Sequence, residues 1–261
     1  MRIVTFASGS TGNCSLISDG GVNILIDAGI SMSRIVKGLA SVGLSPRDLC
    51  GVLITHEHSD HVSGLPMLVK HHGLRVLAPR RLCEILAESK PALIPALCAV
   101  PVGETFRIGE LRIRAFRTPH DAGFCVGYRF EGSSVFAFAT DTGCISDELL
   151  DGLRGARTVL IEANHDAAML RSGPYPYFLK RRILADTGHL SNTDCGRLAR
   201  LLADSGTDNI ILGHLSRENN SPELALAEVK AALEDKNVQI CVAPMNNILA
   251  VSVGDDVECL V

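Results

Sequence analysis

Val52-Leu53-Ile54-Thr55-His56-Glu57-His58-Ser59-Asp60-His61 is the stretch on which the reading of the whole chain turns. Val52 to Ile54 is an apolar run of the length of a buried strand. Three histidines and two acids follow within six residues. A strand ending in a tight turn points His56 and His58 into one space, and the following turn aims Asp60 and His61 at an adjacent point. That suits two metal ions side by side better than one. Imidazole and carboxylate are ligands that zinc, manganese and iron all accept. A loop of solvated histidines is the plain alternative, and four potential ligands packed behind a buried strand argue against it.

Around this stretch the composition is that of an ordinary globular protein. Of 261 residues, 46% are hydrophobic and 21% charged, enough chain to bury a sizeable core. We expect one domain over residues 1–261, since neither a linker nor a sequence repeat interrupts it. No apolar run is long and uncharged enough to span a membrane. Met1 to Phe6 enters a strand pattern directly, without the features of a signal peptide. Nine scattered cysteines, with no Cys-x-x-Cys pair, argue against a disulfide framework and for a reducing cytoplasm. The formal net charge is −4. A nucleic acid would therefore have to be held by a local basic patch and by metals, not by the global field.

In chain order, residues 2–7 alternate as a strand, and Cys14–Ser18 and Val22–Ile26 form a hairpin. The turn Ser8-Gly9-Ser10-Thr11-Gly12-Asn13 reads equally as a plain hairpin turn or as a phosphate rim, with Ser10 and Asn13 the candidates. Asp27 ends a strand beside the histidine cluster, a place from which a carboxylate orients a ligand histidine. Ser31 caps a helix that stops at Gly43. A helical pattern runs from Val62 to His72, and His71 and His72 at its end read as surface residues favoured by the helix dipole. Ala92 to Val102 is apolar, interrupted by proline, and fits no one element. Arg112 and Arg114 share a face of the strand Leu111–Arg117 that reads as solvated.

Beyond it, chemistry-bearing residues sit at strand ends. His120 ends one strand, Asp141 another, and His214 follows the buried strand Asp208–Leu212. Asn164-His165-Asp166 ends the strand Thr158–Glu162. Gly173-Pro174-Tyr175-Pro176-Tyr177-Phe178-Leu179-Lys180-Arg181-Arg182 holds two of the three tyrosines and a run of three cations. It reads as a solvated helix end or as a nucleic-acid contact, with Tyr175 and Tyr177 stacking beside phosphate-binding Lys180, Arg181 and Arg182. Gly188-His189-Leu190-Ser191-Asn192 precedes a helix over Thr193–Ala203.

The motif His-x-His-x-Asp-His resembles the metal signature of the metallo-β-lactamase fold. The resemblance implies an α/β chain in the αββα four-layer sandwich, two mixed β-sheets packed face to face with helices outside. It also implies two divalent metal ions (zinc, manganese or iron). His56, His58 and His120 would hold one, Asp60, His61 and His214 the other, and Asp141 would bridge them. Ions about 3.5–4 Å apart hold a bridging hydroxide as nucleophile and stabilise charge on a phosphoryl or acyl oxygen. Asp141 stands where true β-lactamases commonly carry cysteine. A carboxylate there suits phosphodiesterases and also glyoxalase-type thioesterases. Gly-His-Leu-Ser around His214 is similar to the last motif of phosphodiesterase members such as tRNase Z and PhnP. The span from Asp141 to His214 is too short for a β-CASP domain. His189 lies where PhnP enzymes carry an active-site histidine that is not a ligand, so Asp60 and His189 are the catalytic candidates.

Ser-Gly-Ser-Thr-Gly-Asn, Thr-His-Glu-His-Ser-Asp-His, Glu-Ala-Asn-His-Asp, Gly-Pro-Tyr-Pro-Tyr-Phe-Leu-Lys-Arg-Arg-Ile and Gly-His-Leu-Ser-Asn together resemble the bacterial YycJ/WalJ family. That resemblance implies a 5′-to-3′ exonuclease on double-stranded DNA, linked to mismatch repair, with Ser10, Asn13, His165 and the Tyr175–Arg182 segment as substrate contacts. Two other classes remain open. A small-molecule hydrolase, either a cyclic phosphodiesterase or a thioesterase, has no use for the Tyr175–Arg182 cluster. A non-catalytic metal-binding regulator has no need of the complete ligand set.

Overall fold

The computed structural model describes residues 1–253 and the strand Cys259–Leu260. The N-terminal half supplies β1 (Arg2–Ala7), β2 (Cys14–Asp19), β3 (Val22–Ile26), β4 (Gly51–Leu53), β5 (Val76–Pro79) and β6 (Leu97–Val100), with α1 (Met32–Ser41), α2 (Ser59–Val62), α3 (Leu65–His72) and α4 (Arg80–Ser89) between them. The second half supplies β7 (Thr105–Ile108), β8 (Leu111–Arg117), β9 (Val126–Glu131), β10 (Val135–Ala139), β11 (Thr158–Glu162), β12 (Asn209–Gly213) and β13 (Gln239–Val242). Its helices are α5 (Asp147–Leu153), α6 (Ala167–Ser172), α7 (Tyr177–Ile183), α8 (Asn192–Ala203) and α9 (Pro222–Ala232). β14 (Leu249–Ser252) and β15 (Cys259–Leu260) return to the first sheet.

The sheets run in the orders β15-β14-β1-β2-β3-β4-β5-β6 and β13-β12-β11-β10-β9-β8-β7. Both are mixed. β3 to β6 pair in parallel and β1 to β3 antiparallel, while β10 to β13 pair in parallel and β7 to β10 antiparallel. Side-chain alternation explains the four layers. In β3, Ile24 and Ile26 face the other sheet while Leu25 faces the helices. In β10, Phe136 and Phe138 point between the sheets, and Ala137 and Ala139 point to the opposite helical layer. Strands covered on both faces read as unbroken apolar runs, and that is how Val52–Ile54 and Val159–Ile161 appear in the sequence. Helices fill the outer layers with apolar residues three or four apart, such as Ile35 and Leu39 of α1, or Cys195, Leu198, Ala199 and Leu202 of α8.

Two local expectations change. The pattern Val62–His72 is two helices, α2 and α3, broken at Ser63-Gly64. There the chain crosses the loop after β3. Gly64 N donates to Ala28 O at 2.8 Å, and a Cβ on Gly64 would lie 2.0 Å from Ile30 O. The unassigned stretch resolves into a 3₁₀ turn, Pro91–Ala96, and the edge strand β6. His71 and His72 are exposed, as expected. Arg112 and Arg114 pair with Glu131 and Asp151 on a solvated face. No helix among the described residues is long and apolar enough to cross a membrane.

Candidate metal centre

The residues singled out at strand ends meet on one side of the sandwich. The chain after β4 brings His56, His58, Asp60 and His61, and the ends of β8, β10 and β12 bring His120, Asp141 and His214. Among the described residues, four overlapping groups each have ligand atoms within 4.8 Å of one another: His56, His58 and His120; Asp60, His61 and His214; His56, His61 and Asp141; and Asp141, Glu162, His189 and His214. The non-glycine residues with positive φ among the described residues are Asp27 at 60°, Asp141 at 55° and His214 at 54°. All three stand where a strand turns into this site. Such strain costs of order 1–3 kcal/mol each and persists where the surroundings impose it.

The donor atoms face one another without satisfying one another. Oδ2 of Asp141 lies 3.1 Å from Nδ1 of His214 and 3.2 Å from Nε2 of His61. Nε2 of His120 lies 3.3 Å from Nδ1 of His58. Among the described residues, Nε2 of His56, Oδ2 of Asp141 and Nδ1 of His214 are buried with no hydrogen-bond partner. A buried orphan polar atom costs about 1–3 kcal/mol, and several aimed into one space are what divalent ions would relieve. The residues therefore fit the metals that the donor set calls for.

Other ligand atoms are held from behind. Nδ1 of His61 donates to Oδ2 of Asp27 at 2.7 Å, and that carboxylate also accepts from the Thr55 backbone N–H and hydroxyl, both at 2.9 Å. Nδ1 of His120 donates to Gly188 O at 3.0 Å. Asp27 thus does what its strand-end position implied. The electrostatics follow from crowding. Burial, with His61 beside it, pushes His56 well below the usual imidazole range. Burial works the same way on His61, but Asp141 and Asp27 outweigh it and raise it well above that range. Burial opposes ionisation of Asp141, yet His214, His61 and His56 hold it well below the usual carboxylate range.

His189 stands beside this cluster. Its Nδ1 donates to Oε1 of Glu162 at 2.7 Å. Burial works against its charged form, but Glu162 and then Asp141 hold it up at about 9. Oε2 of Glu162 accepts from Thr142 N at 2.9 Å and Leu190 N at 3.3 Å. In the sequence Glu162 ends a buried strand and opens the Glu-Ala-Asn-His-Asp motif, which gives its side chain no role. A full charge ending an otherwise apolar run was the available signal.

A cavity of about 330 Å³ opens over these groups. It is lined by His58, Asp60, Asp141, His189 and His214, by Ser10, Asn164 and Ser216, and by Tyr175, Leu179, Arg182 and Ile183 of the α7 region. Of the expected substrate contacts, Ser10, Tyr175 and Arg182 line it. Asn13 does not. It is buried under the Asp60 loop, its backbone N–H donating to Asp60 O at 2.8 Å and its Nδ2 lying 3.0 Å from Nε2 of His61. His165 does not either. It is 1% exposed, its backbone is bridged to Ser191, and its neighbour Asn164 takes the cavity position. Tyr177, Lys180 and Arg181 lie outside the cavity wall. Nζ of Lys180 donates to the carbonyls of Arg171 and Gly173, both at 2.7 Å. The Arg182 guanidinium pairs through two nitrogens with Asp121. Asp121, Asn164, Ser216, Leu179 and Ile183 are cavity residues that the motif reading passed over.

Residues 22–215 match the family described as the β-lactamase superfamily domain. The chain is 40% identical over 223 residues to exodeoxyribonuclease WalJ of Streptococcus pneumoniae, covering 84% of this chain and 83% of that protein. It is 37% identical over 240 residues to exodeoxyribonuclease YycJ of Bacillus anthracis, covering 90% of each. Among solved structures, Zn²⁺-bound PqqB of Methylobacterium extorquens superposes with a TM-score of 0.73 over 95% of this chain and 99% of that one. At 18% identity that likeness concerns the fold. The chain belongs to the β-lactamase superfamily, in the group that contains the WalJ and YycJ proteins of these two bacteria.

Proposed function

We propose that this protein is a metal-dependent exodeoxyribonuclease that degrades double-stranded DNA from a 5′ end. Two divalent ions would serve it, within one domain spanning residues 1–261. The observation that carries the reading is a complete His/Asp donor set converging beside one cavity, in a chain 40% identical to an exodeoxyribonuclease over most of its length. His56, His58 and His120 would hold one ion, Asp60, His61 and His214 the other, and Asp141 would be shared. Imidazole and carboxylate donors suit zinc, manganese or iron. When bound, divalent ions supply an activated water and neutralise charge on the phosphoryl oxygens.

The chain's own groups position and move protons. Asp60 lines the cavity, its Oδ2 3.4 Å from Nε2 of His61, and its carboxylate would take the proton of the attacking water. Glu162 fixes the His189 ring through Nδ1, which leaves Nε2 for the cavity that His189 lines. From there it can give a proton to the leaving oxygen, the usual role of a positioned imidazole. Ser10, Asn164 and Ser216 offer polar groups to the phosphates and sugar, while Arg182 is held by Asp121. Cys14, Cys50, Cys83, Cys98, Cys125, Cys144 and Cys195 are free thiols, which fits a reducing cytoplasm, where we place the protein.

The test is digestion of 5′-labelled and 3′-labelled duplexes by chelator-stripped protein, repeated after adding back zinc, manganese or iron. Metal-dependent release of nucleotides from the 5′ end is expected. Turnover of cyclic phosphodiesters or thioesters, with every DNA left intact, would overturn the reading.

A further inference from the structure

α7 buries none of its residues, yet it carries large apolar side chains. At 3.6 residues per turn, Leu179, Arg182 and Ile183 share one side of the helix. All three line the cavity, as does Tyr175 just before the helix. Tyr177 and Arg181 fall on the opposite side, with Leu184 at the helix end, and Phe178 lies between the two faces. Tyr177 is 77% exposed and Phe178 73%. The Arg181 guanidinium stands 6.0 Å from the centre of the Tyr177 ring. Adjacent exposed aromatics on a helix without a buried face mark an interaction surface.

The helix is nevertheless anchored. Asp121 holds Arg182 on the inner side, and Lys180 is tied to the Arg171 and Gly173 carbonyls. Behind it, the chain turns at Gly188, where a Cβ would lie 2.2 Å from Ile183 O. α7 is thus a fixed wall with two unlike faces. A cavity of about 330 Å³ is at the small end of ligand pockets. A space of that size suits one nucleotide unit better than a base pair with both backbones, so a strand parted from its partner reaches the catalytic groups more readily than a closed end.

Building on the nuclease reading above, we propose that α7 parts the two strands of a duplex end. The strand to be cut passes along the inner face, past Tyr175 and Leu179. The displaced strand lies on the outer face, its bases on Tyr177 and on Phe178 at the margin of that face, and a phosphate on Arg181. Aromatic rings beside a cation bind single strands with little regard to sequence, as an enzyme that trims any end requires. Continuity of this outer face with the cavity wall favours the displaced strand as its occupant over a second copy of the chain.

The experiment compares a blunt duplex with the same duplex carrying a few terminal mismatches, so that its end is already open. The metal-loaded protein and the double variant Tyr177→Ala/Phe178→Ala are assayed on both. Loss of two stacking rings should slow the blunt duplex by about tenfold or more, with less than about a threefold change on the opened one. Tyr177→Trp should keep the blunt-end rate. A fall of the same size on both substrates, or none on either, overturns strand parting and leaves the nuclease reading intact. A wild-type dimer that the double variant abolishes, with the ratio of rates unchanged, assigns the patch to self-association and also overturns it. If the wild-type protein degrades neither DNA with any metal, the nuclease reading itself fails.

Discussion

Oε1 of Glu162 lies 2.7 Å from Nδ1 of His189, and Oε2 of the same carboxylate is held by the backbone N–H groups of Thr142 and Leu190. The last residue of β11 therefore sets the orientation of a histidine in the cavity wall. Glu162→Gln should lower kcat by about 10–100-fold, the usual cost of removing a partner that orients a functional histidine. His189→Ala should lower it by about 10²–10⁴-fold with metal content unchanged. Because the two act as a unit, the double variant should be no slower than His189→Ala alone. Metal analysis and single-turnover rates check this. Multiplying defects, or metal lost in step with rate, would assign the two residues other roles.

Asp141 is the test of the shared ligand. Its φ of 55° is one that asparagine tolerates and alanine resists. Asp141→Asn is therefore the variant that removes the charge while keeping the turn. With Oδ2 gone from between His61 and His214, bound metal should fall and DNA degradation should stop. The melting temperature of the metal-free protein should hold. Full turnover at normal metal content would contradict the assignment.

Much of this was legible because strands covered on both faces announce themselves. Val52–Ile54 and Val159–Ile161 are unbroken apolar runs, and the polar residues that interrupt such runs at their ends are the ones that gather in the site. His56, His58, Asp60, His61, Asp141 and His214 follow that rule, whereas His120 follows the end of β8, whose outer face carries Arg112 and Arg114. Glu162 obeys the rule too; it opens the Glu-Ala-Asn-His-Asp motif, but that membership marks no role for its side chain. Asn13 and His165 lay in recognisable motifs, but motif membership says nothing of direction. Asn13 turns inward to brace Asp60, and His165 is held by the bridge to Ser191. The break between α2 and α3 was hidden for another reason. Helical periodicity continues through Ser63-Gly64, and only the packing of Gly64 on Ala28 and Ile30 shows why the helix stops.

Gly29 offers a test of how tightly that packing is tied to the ligands. A Cβ there would lie 1.6 Å from Asp60 O and 2.8 Å from Asn13 N. Both are backbone atoms, and Gly29 N itself donates to Asn13 O at 2.8 Å. Gly29→Ala must therefore push away the loop that carries Asp60 and His61. Overpacking of this kind typically costs about 1–3 kcal/mol. We expect a lower melting temperature and weaker metal binding together. Calorimetry and metal titration check both, and wild-type affinity would show that the loop moves without disturbing the ligands.

The three cations of α7 should separate in their effects on DNA binding. From the sequence they form one basic patch. In the structure Lys180 is spent on two backbone carbonyls and Arg182 on Asp121, while Arg181 stands beside Tyr177 on the outer face. The chain's formal net charge of −4 gives it no bulk attraction for DNA, so individual contacts should be visible in the salt dependence. Arg181→Gln should reduce the slope of log affinity against log salt by about 0.7–0.9, the worth of one phosphate contact. Lys180→Gln should leave that slope in place and instead slow turnover, because it loosens α7 from the end of α6. Binding isotherms at several salt concentrations distinguish the two. A slope that changes with Lys180 and not with Arg181 would mean that the nucleic acid reaches the cavity by another face.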